Sequence, residues 1–148
     1  LTRRTFAQDI DEPLLVMGAD AHIAGTAHER ELIMLVVGEI PDSVLSKAVA
    51  LEYINAYEKM YGSKPATFGA NVYDAGLLLA RAVPEAARRG KPGTPVFRAA
   101  LRDALEGTRE LVGTQGVYNM SPADHSGFDE RGRVLITVKD GNWRLLKD

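Results

Sequence analysis

Tyr53-Ile-Asn-Ala-Tyr-Glu-Lys-Met-Tyr-Gly62, then Ser63-Lys-Pro-Ala-Thr-Phe68, then Gly69-Ala-Asn-Val-Tyr-Asp-Ala-Gly-Leu-Leu-Leu-Ala80 reads as a helix, a stop, a short extended link and a second helix. The first helix enters at Pro41-Asp42-Ser43, where Asp42 or Ser43 can cap it. Leu45, Val49, Tyr53 and Tyr57 then recur at i, i+4, with Ala50, Ile54 and Tyr61 beside them, while Lys47, Glu52, Asn55, Glu58 and Lys59 take other positions. That pattern predicts an amphipathic helix, and Gly62 suits the left-handed residue beyond its end. Pro65 keeps the link extended. A second helix is predicted from about Gly69 to Arg89, with Val72, Ala75, Leu79 and Val83 along one side. Pro84 should kink or restart it, and Arg88 and Arg89 sit well at its negative end before Gly90.

Working outward, Lys91-Pro-Gly-Thr94 is a linker, and Thr94-Pro95 is a cap followed by a proline at the first helical position. A third helix, Val96 to Leu105, should bury Phe97, Leu101 and Leu105 and stop at Gly107. From Leu111 the pattern changes to short strands and turns, with Val117-Tyr118 a candidate strand and Pro122 to Gly132 a polar loop. Val134-Leu-Ile-Thr-Val138 and Trp143-Arg-Leu-Leu146 flank Asp140-Gly141-Asn142, a strong hairpin signal. Upstream, Leu14-Leu-Val-Met17 reads as a buried strand between Pro13 and Gly18. Leu32-Ile-Met-Leu-Val-Val37 is a second continuous apolar run of the kind found in strands covered on both faces. The order predicts an α/β domain or part of one.

Composition excludes several classes. The chain has 148 residues, 45% hydrophobic and 26% charged, with a formal net charge of −2. No basic excess points to nucleic acid or an anionic membrane. There is no cysteine, so disulfides and thiolate metal sites are ruled out. The start at Leu1 rather than Met suggests that something upstream was removed or not counted. Thr2-Arg3-Arg4-Thr5-Phe6 superficially matches a twin-arginine export signal, but Gln8-Asp9-Ile10-Asp11-Glu12 follows where an apolar stretch is needed, so a basic helix start is the preferred reading.

No catalytic constellation stands out. His22 and His28 lie in a loop with Asp20, Glu29 and Glu31 nearby, yet their spacing is not a ligand pattern and they read as solvated. Ser121, Asp124 and His125 invite a small-hydrolase reading, but no G-x-S-x-G elbow is present and adjacent Asp-His cannot readily orient one another. Local backbone hydrogen bonds from Ser121 and Asp124 are the preferred account. Phosphate-binding glycine motifs are absent, so no nucleotide or other cofactor is expected. Tyr53, Tyr57 and Tyr61 form a stripe read as packing. Phe68 differs. It precedes a helix start beside Gly69 and Ala70, where unpaired N–H groups and the positive dipole end suit a carboxylate, and its ring could cover an apolar ligand body. The competing reading is a hydrophobic staple folded onto the second helix.

Several of these segments, in this order, resemble the C-terminal portion of the type I periplasmic solute-binding proteins of ABC importers, in the branched-chain amino acid and aromatic acid receptor group. They are Ile40-Pro-Asp-Ser43, Ala56-Tyr-Glu-Lys-Met-Tyr-Gly62, Phe68-Gly-Ala-Asn-Val-Tyr-Asp-Ala75, Gly93-Thr-Pro-Val-Phe-Arg-Ala-Ala-Leu-Arg-Asp-Ala-Leu105, Gly116-Val-Tyr-Asn-Met-Ser121, Asp124-His125 and Val138-Lys-Asp-Gly-Asn-Trp143. The resemblance implies a two-lobe binding protein that is not an enzyme, located in the periplasm and delivering a small carboxylate to a membrane permease. It places residues 1–43 near the hinge and C-terminal lobe, 44–107 in the helical part of the N-terminal lobe, and 108–148 in the hinge return and closing hairpin. It marks Phe68, Gly69, Ala70, Asn71 and Tyr73 as ligand-binding positions. Residues 1–39 match poorly apart from Ile23-Ala-Gly-Thr26, where Ala24 stands in place of an acidic residue. The core strands of the first lobe are missing, which implies a fragment or a homo-oligomer that completes the sheet from another copy. A self-associating α/β module with no small ligand is the alternative reading.

Overall fold

The computed structural model describes residues 14–17, 37–139 and 142–145. The basic start, the loop holding His22 and His28, and most of the Leu32–Val37 run lie outside the described residues. Three helices follow one another: α1 (Leu45–Tyr61), α2 (Thr67–Arg89) and α3 (Pro95–Glu106). Two small sheets accompany them. β1 (Leu14–Met17), β4 (Arg133–Lys139) and β5 (Asn142–Leu145) form one, in the order β1-β4-β5, and β2 (Leu111–Val112) pairs with β3 (Val117–Tyr118) in the other. The fold is mixed α/β, and every described strand pairing is antiparallel. In the expected hairpin, Lys139 pairs with Asn142.

The punctuation of the sequence sets the helix ends. Gly62 closes α1 in the left-handed conformation, φ 67°, and its N–H returns to the Glu58 carbonyl at 2.8 Å. Thr94 caps α3 by accepting from the Phe97 N–H at 3.2 Å, with Pro95 in the first turn. Four expectations need correction. Neither Asp42 nor Ser43 caps α1: the capping position is Val44, which has no side-chain oxygen, and Asp42 instead accepts from Lys47 at 2.7 Å. α2 begins at Thr67, and it runs through Pro84 without a break. The carbonyl deprived of its partner by Pro84 belongs to Ala80, which is exposed to water. Residues 37–39 are helical, so Val37 does not end a strand.

The buried face of α1 follows the predicted one apart from Leu45, whereas that of α2 is rotated from it. On α1 the buried residues are Ser46, Ala50, Tyr53 and Ile54, while Leu45 is 57% exposed. On α2 they are Ala70, Asp74, Ala82 and Ala86, and the predicted side is open to solvent, with Val72 72% exposed. α2 packs closely on α3, which buries Ala100, with Phe97, Leu101 and Leu105 only half-buried. The fully buried apolar positions of the two helices are thus alanines rather than the larger aliphatics.

One buried carboxylate joins α2 to the β2–β3 hairpin. Asp74 is 1% exposed; its Oδ1 accepts from the Thr114 N–H at 2.7 Å and its Oδ2 from the Tyr118 hydroxyl at 2.9 Å. A side chain on Gly113 would meet Asp74 Oδ2 and the Tyr118 ring at 2.6 Å, so the close approach needs glycine there. Burial, reinforced by the Asp74 charge, pushes the Tyr118 hydroxyl well above its ordinary range and keeps it a donor.

A second, exposed network lies where the chain leaves this hairpin for β4. Arg131 donates to both oxygens of Glu110 at 2.9 Å and to the Asp129 carboxylate at 2.6–3.0 Å. Asn119 and Glu110 exchange hydrogen bonds of 2.7 and 3.0 Å. The Arg131 and Asn119 donors hold the Glu110 carboxyl down at about 2, from 4.5.

Two outcomes follow for stability. Asp74→Ala strands two buried donors and should cost about 2–4 kcal/mol in urea unfolding, against about 1 kcal/mol for Tyr118→Phe; equal losses would contradict a shared carboxylate. Because Glu110 has a depressed folded-state pKa, its contribution is full above about 4.5 and is lost as pH falls toward about 2. The gap in melting temperature between the parent and Glu110→Gln should therefore narrow across that interval, and a constant gap would count against the network.

Candidate ligand-binding site

The N-terminus of α2 is built on α1. Tyr53 packs against Tyr73 with ring centroids 4.8 Å apart and meets Tyr57 edge-on at 6.0 Å. Its hydroxyl lies directly under the Gly69 backbone, where a Cβ would collide with it. Burial raises the pKa of that hydroxyl, and neighbouring Tyr57 adds to the effect. Ala70 is buried in one cluster with Val37, Ala50, Tyr53 and Ile54, with Tyr57 and Tyr73 packed against it. Pro65, fully buried, fixes the approach to the helix.

The end presented to solvent is polar in backbone and apolar in side chain. The capping residue, Ala66, is extended and offers no side-chain oxygen, and no acidic residue lies in the first turn. No side chain of the cap therefore neutralises the positive end of this 23-residue helix. Phe68, in the first turn, is 60% exposed. Asn71, three residues on and hence beside it on the helix surface, accepts through Oδ1 from Gln115 Nε2 of the β2–β3 turn.

The five predicted positions thus divide by environment. Phe68 is the exposed lip, Gly69 and Ala70 hold the first turn against α1, Tyr73 packs on Tyr53, and Asn71 reaches across to the hairpin. Sequence reasoning missed Tyr53 as the floor beneath Gly69, and it missed Gln115 and Asp74. Asp74 had a signal: it is the only charged residue between Lys64 and Arg81, in an otherwise apolar stretch. Backbone donors and an aromatic face equip this end for noncovalent anion binding, not for proton transfer.

The competing chemistry does not assemble. Ser121 Oγ accepts from the Asp124 N–H at 3.0 Å, and Asp124 Oδ1 accepts from the Ser126 and Gly127 N–H groups at 2.9 and 3.1 Å. His125 points elsewhere, with Nε2 3.1 Å from Glu106 Oε1. Serine, aspartate and histidine are committed to separate partners, as the local-turn account expects. Among the described residues no group of His, Cys, Asp or Glu could hold a metal ion, and no helix is long and apolar enough to cross a membrane.

No family model and no curated protein matches the chain. Solved structures do. An extracellular ligand-binding receptor from Rhodopseudomonas palustris HaA2 is 38% identical with a TM-score of 0.67, over 76% of this chain and 32% of that one. A second from the same strain is 32% identical with a TM-score of 0.68, over 80% and 38%. A third, from Rhodopseudomonas palustris, is 37% identical with a TM-score of 0.66, over 76% and 32%. These neighbours have the type I periplasmic-binding-protein fold and are described as ligand-binding receptors. The chain spans about a third of their length.

The floor of the site is testable without a ligand. Gly69→Ala should lower stability by about 1–3 kcal/mol, the usual cost of overpacking, because the new methyl meets the Tyr53 hydroxyl. Adding Tyr53→Phe should recover part of that loss in thermal unfolding. A double variant no better than Gly69→Ala would show that the hydroxyl is not the obstruction.

Proposed function

We propose that this chain is part of a periplasmic solute-binding receptor of an ABC importer, one that captures a small carboxylate with an apolar body and delivers it to a membrane permease. Branched-chain amino acids and aromatic acids are the ligand classes. The observation that carries the reading is the α2 N-terminus, which lacks a side-chain cap and any first-turn acid and has the exposed Phe68 at its rim. A ligand carboxylate would take the first-turn N–H groups and sit in the positive field of the helix. The Phe68 ring would cover the apolar part of the ligand. Gly69 and Ala70 would keep the turn rigid, and Asn71 and Tyr73 would line its flank. Residues 44–107 would belong to one lobe, with 1–43 and 108–148 forming hinge segments and part of the other. Binding would proceed by closure of two lobes with no covalent step. The likeness to extracellular ligand-binding receptors supports this reading at the level of class.

A second reading, a self-associating module without a small ligand, has one observation in its favour. Phe68, Val72, Leu79 and Val83 are all exposed on α2, an apolar stretch larger than isolated surface residues produce.

Thermal unfolding with leucine, isoleucine, valine and benzoate separates the two. A ligand at about a hundred times its Kd should add about 2.7 kcal/mol to stability, and Phe68→Ala should weaken that ligand by about tenfold, as for a lost apolar side chain worth about 1.5 kcal/mol. No stabilisation by any of the four acids would overturn the ligand class. A monodisperse oligomer in sedimentation, indifferent to all four, would favour the second reading.

A further inference from the structure

Among the described residues, two carboxylates link the three-stranded sheet and the chain entering it to the helical body. Glu39, at the end of the helical residues 37–39, accepts from Arg144 Nη1 at 3.0 Å and from the Leu145 N–H at 2.8 Å. Both donors belong to β5, an edge strand of the order β1-β4-β5 among the described residues. Glu110, immediately before β2, grips Arg131 through both oxygens at 2.9 Å. Arg131 lies in the short 3-10 turn Glu130–Gly132, which leads directly into β4. One carboxylate therefore holds the far edge of the sheet, and the other holds the point where the chain enters it.

The second contact is built with care. Glu110 is the one non-glycine described residue with positive φ, 49°, a conformation that side chains other than glycine disfavour. Its backbone N–H and its carboxylate are both engaged by Asn119, just past β3, so the unfavourable backbone is held in place by the same contacts that aim the carboxylate at Arg131. Arg131 is fixed from its other side by Asp129. Its guanidinium can thus meet Glu110 in the planar two-point geometry that resists rotation.

We infer that these two carboxylate clasps, Glu39 on β5 and Glu110 on Arg131, set the angle between the three-stranded sheet and the helical body, which makes the joint between them a charge-held one that loosens when both clasps are neutralised. The inference goes beyond the receptor reading and does not rest on it. Solvent-exposed ion pairs weaken in salt, whereas the Asp74 junction, buried from water, should not respond. The sheet would then move as a unit while α2, α3 and the β2–β3 hairpin stay together.

The absence of cysteine allows two thiols to be introduced cleanly, Ala99→Cys on α3 and Asn142→Cys at the tip of the β4–β5 hairpin, for spin-label distance measurement. The otherwise unaltered chain should give one narrow distance distribution at low salt. Glu39→Gln with Glu110→Gln should broaden it at least twofold while far-UV circular dichroism of the helices is retained. If the double variant loses its helical signal, the parent pair in 1 M sodium chloride decides, and it should broaden in the same way. A distribution equally narrow in the folded double variant, or in the parent at high salt when the variant does not fold, would overturn the inference.

Discussion

The arrangement of this chain depends on one hydrogen-bonded carboxylate. Asp74 sits in the second turn of a long helix with almost no water around it, and its charge is tolerated because two donors from a distant hairpin converge on it. The demand is mutual. The hairpin is only two residues deep on each side and could not stand alone, so its place against α2 comes from that carboxylate and from the missing side chain at Gly113. With the hairpin placed, the polypeptide can leave it toward β4 on a defined course. The first turn of α2, with Phe68 and Asn71, lies on the same rigid helix as Asp74. Fixing the hairpin therefore also fixes Gln115 beside the end of the helix that we read as anion-binding.

The other side of that end is set by packing. Tyr53 brings a ring against Tyr73 and a hydroxyl against the Gly69 backbone, so α1 acts as a floor under the first turn of α2. A helix terminus held from below by a close-packed aromatic and from the side by a buried carboxylate has little freedom to adapt. That is the condition under which backbone donors bind an anion without a large ordering cost.

Much of this was legible in the sequence, and the parts that were not share a cause. Gly62 and Thr94-Pro95 act locally, so these helix ends could be read from neighbouring residues, and β4 and β5 pair as the hairpin signal predicts. The faces could not. The periodicity of Val72, Ala75, Leu79 and Val83 is genuine, yet the helix turns Ala70, Asp74, Ala82 and Ala86 inward. Reading large apolar residues as core assumes that side-chain size decides burial, whereas the fully buried residues described on α2 and α3 are alanines and one aspartate. Asp74 escaped for a related reason: its partners lie 40 and 44 positions away, and nothing in a local window identifies them. The candidate site was located through Phe68 and its family resemblance. Its floor, Tyr53, was visible only as one member of an aromatic stripe.

The burial of alanines on α2 and α3 has one more consequence. Ala82, Ala86 and Ala100 are buried and carry no rotatable side-chain bond, so these positions have no alternative rotamers with which to accommodate change. A core of leucines can absorb a substitution by repacking its neighbours, whereas methyl groups in contact can only be pushed apart. As the gene drifts, these three positions should admit glycine or serine and little else, while the larger aliphatic residues on the outer side of the same helix vary freely in size. The constraint on this segment's evolution would then fall on its smallest side chains.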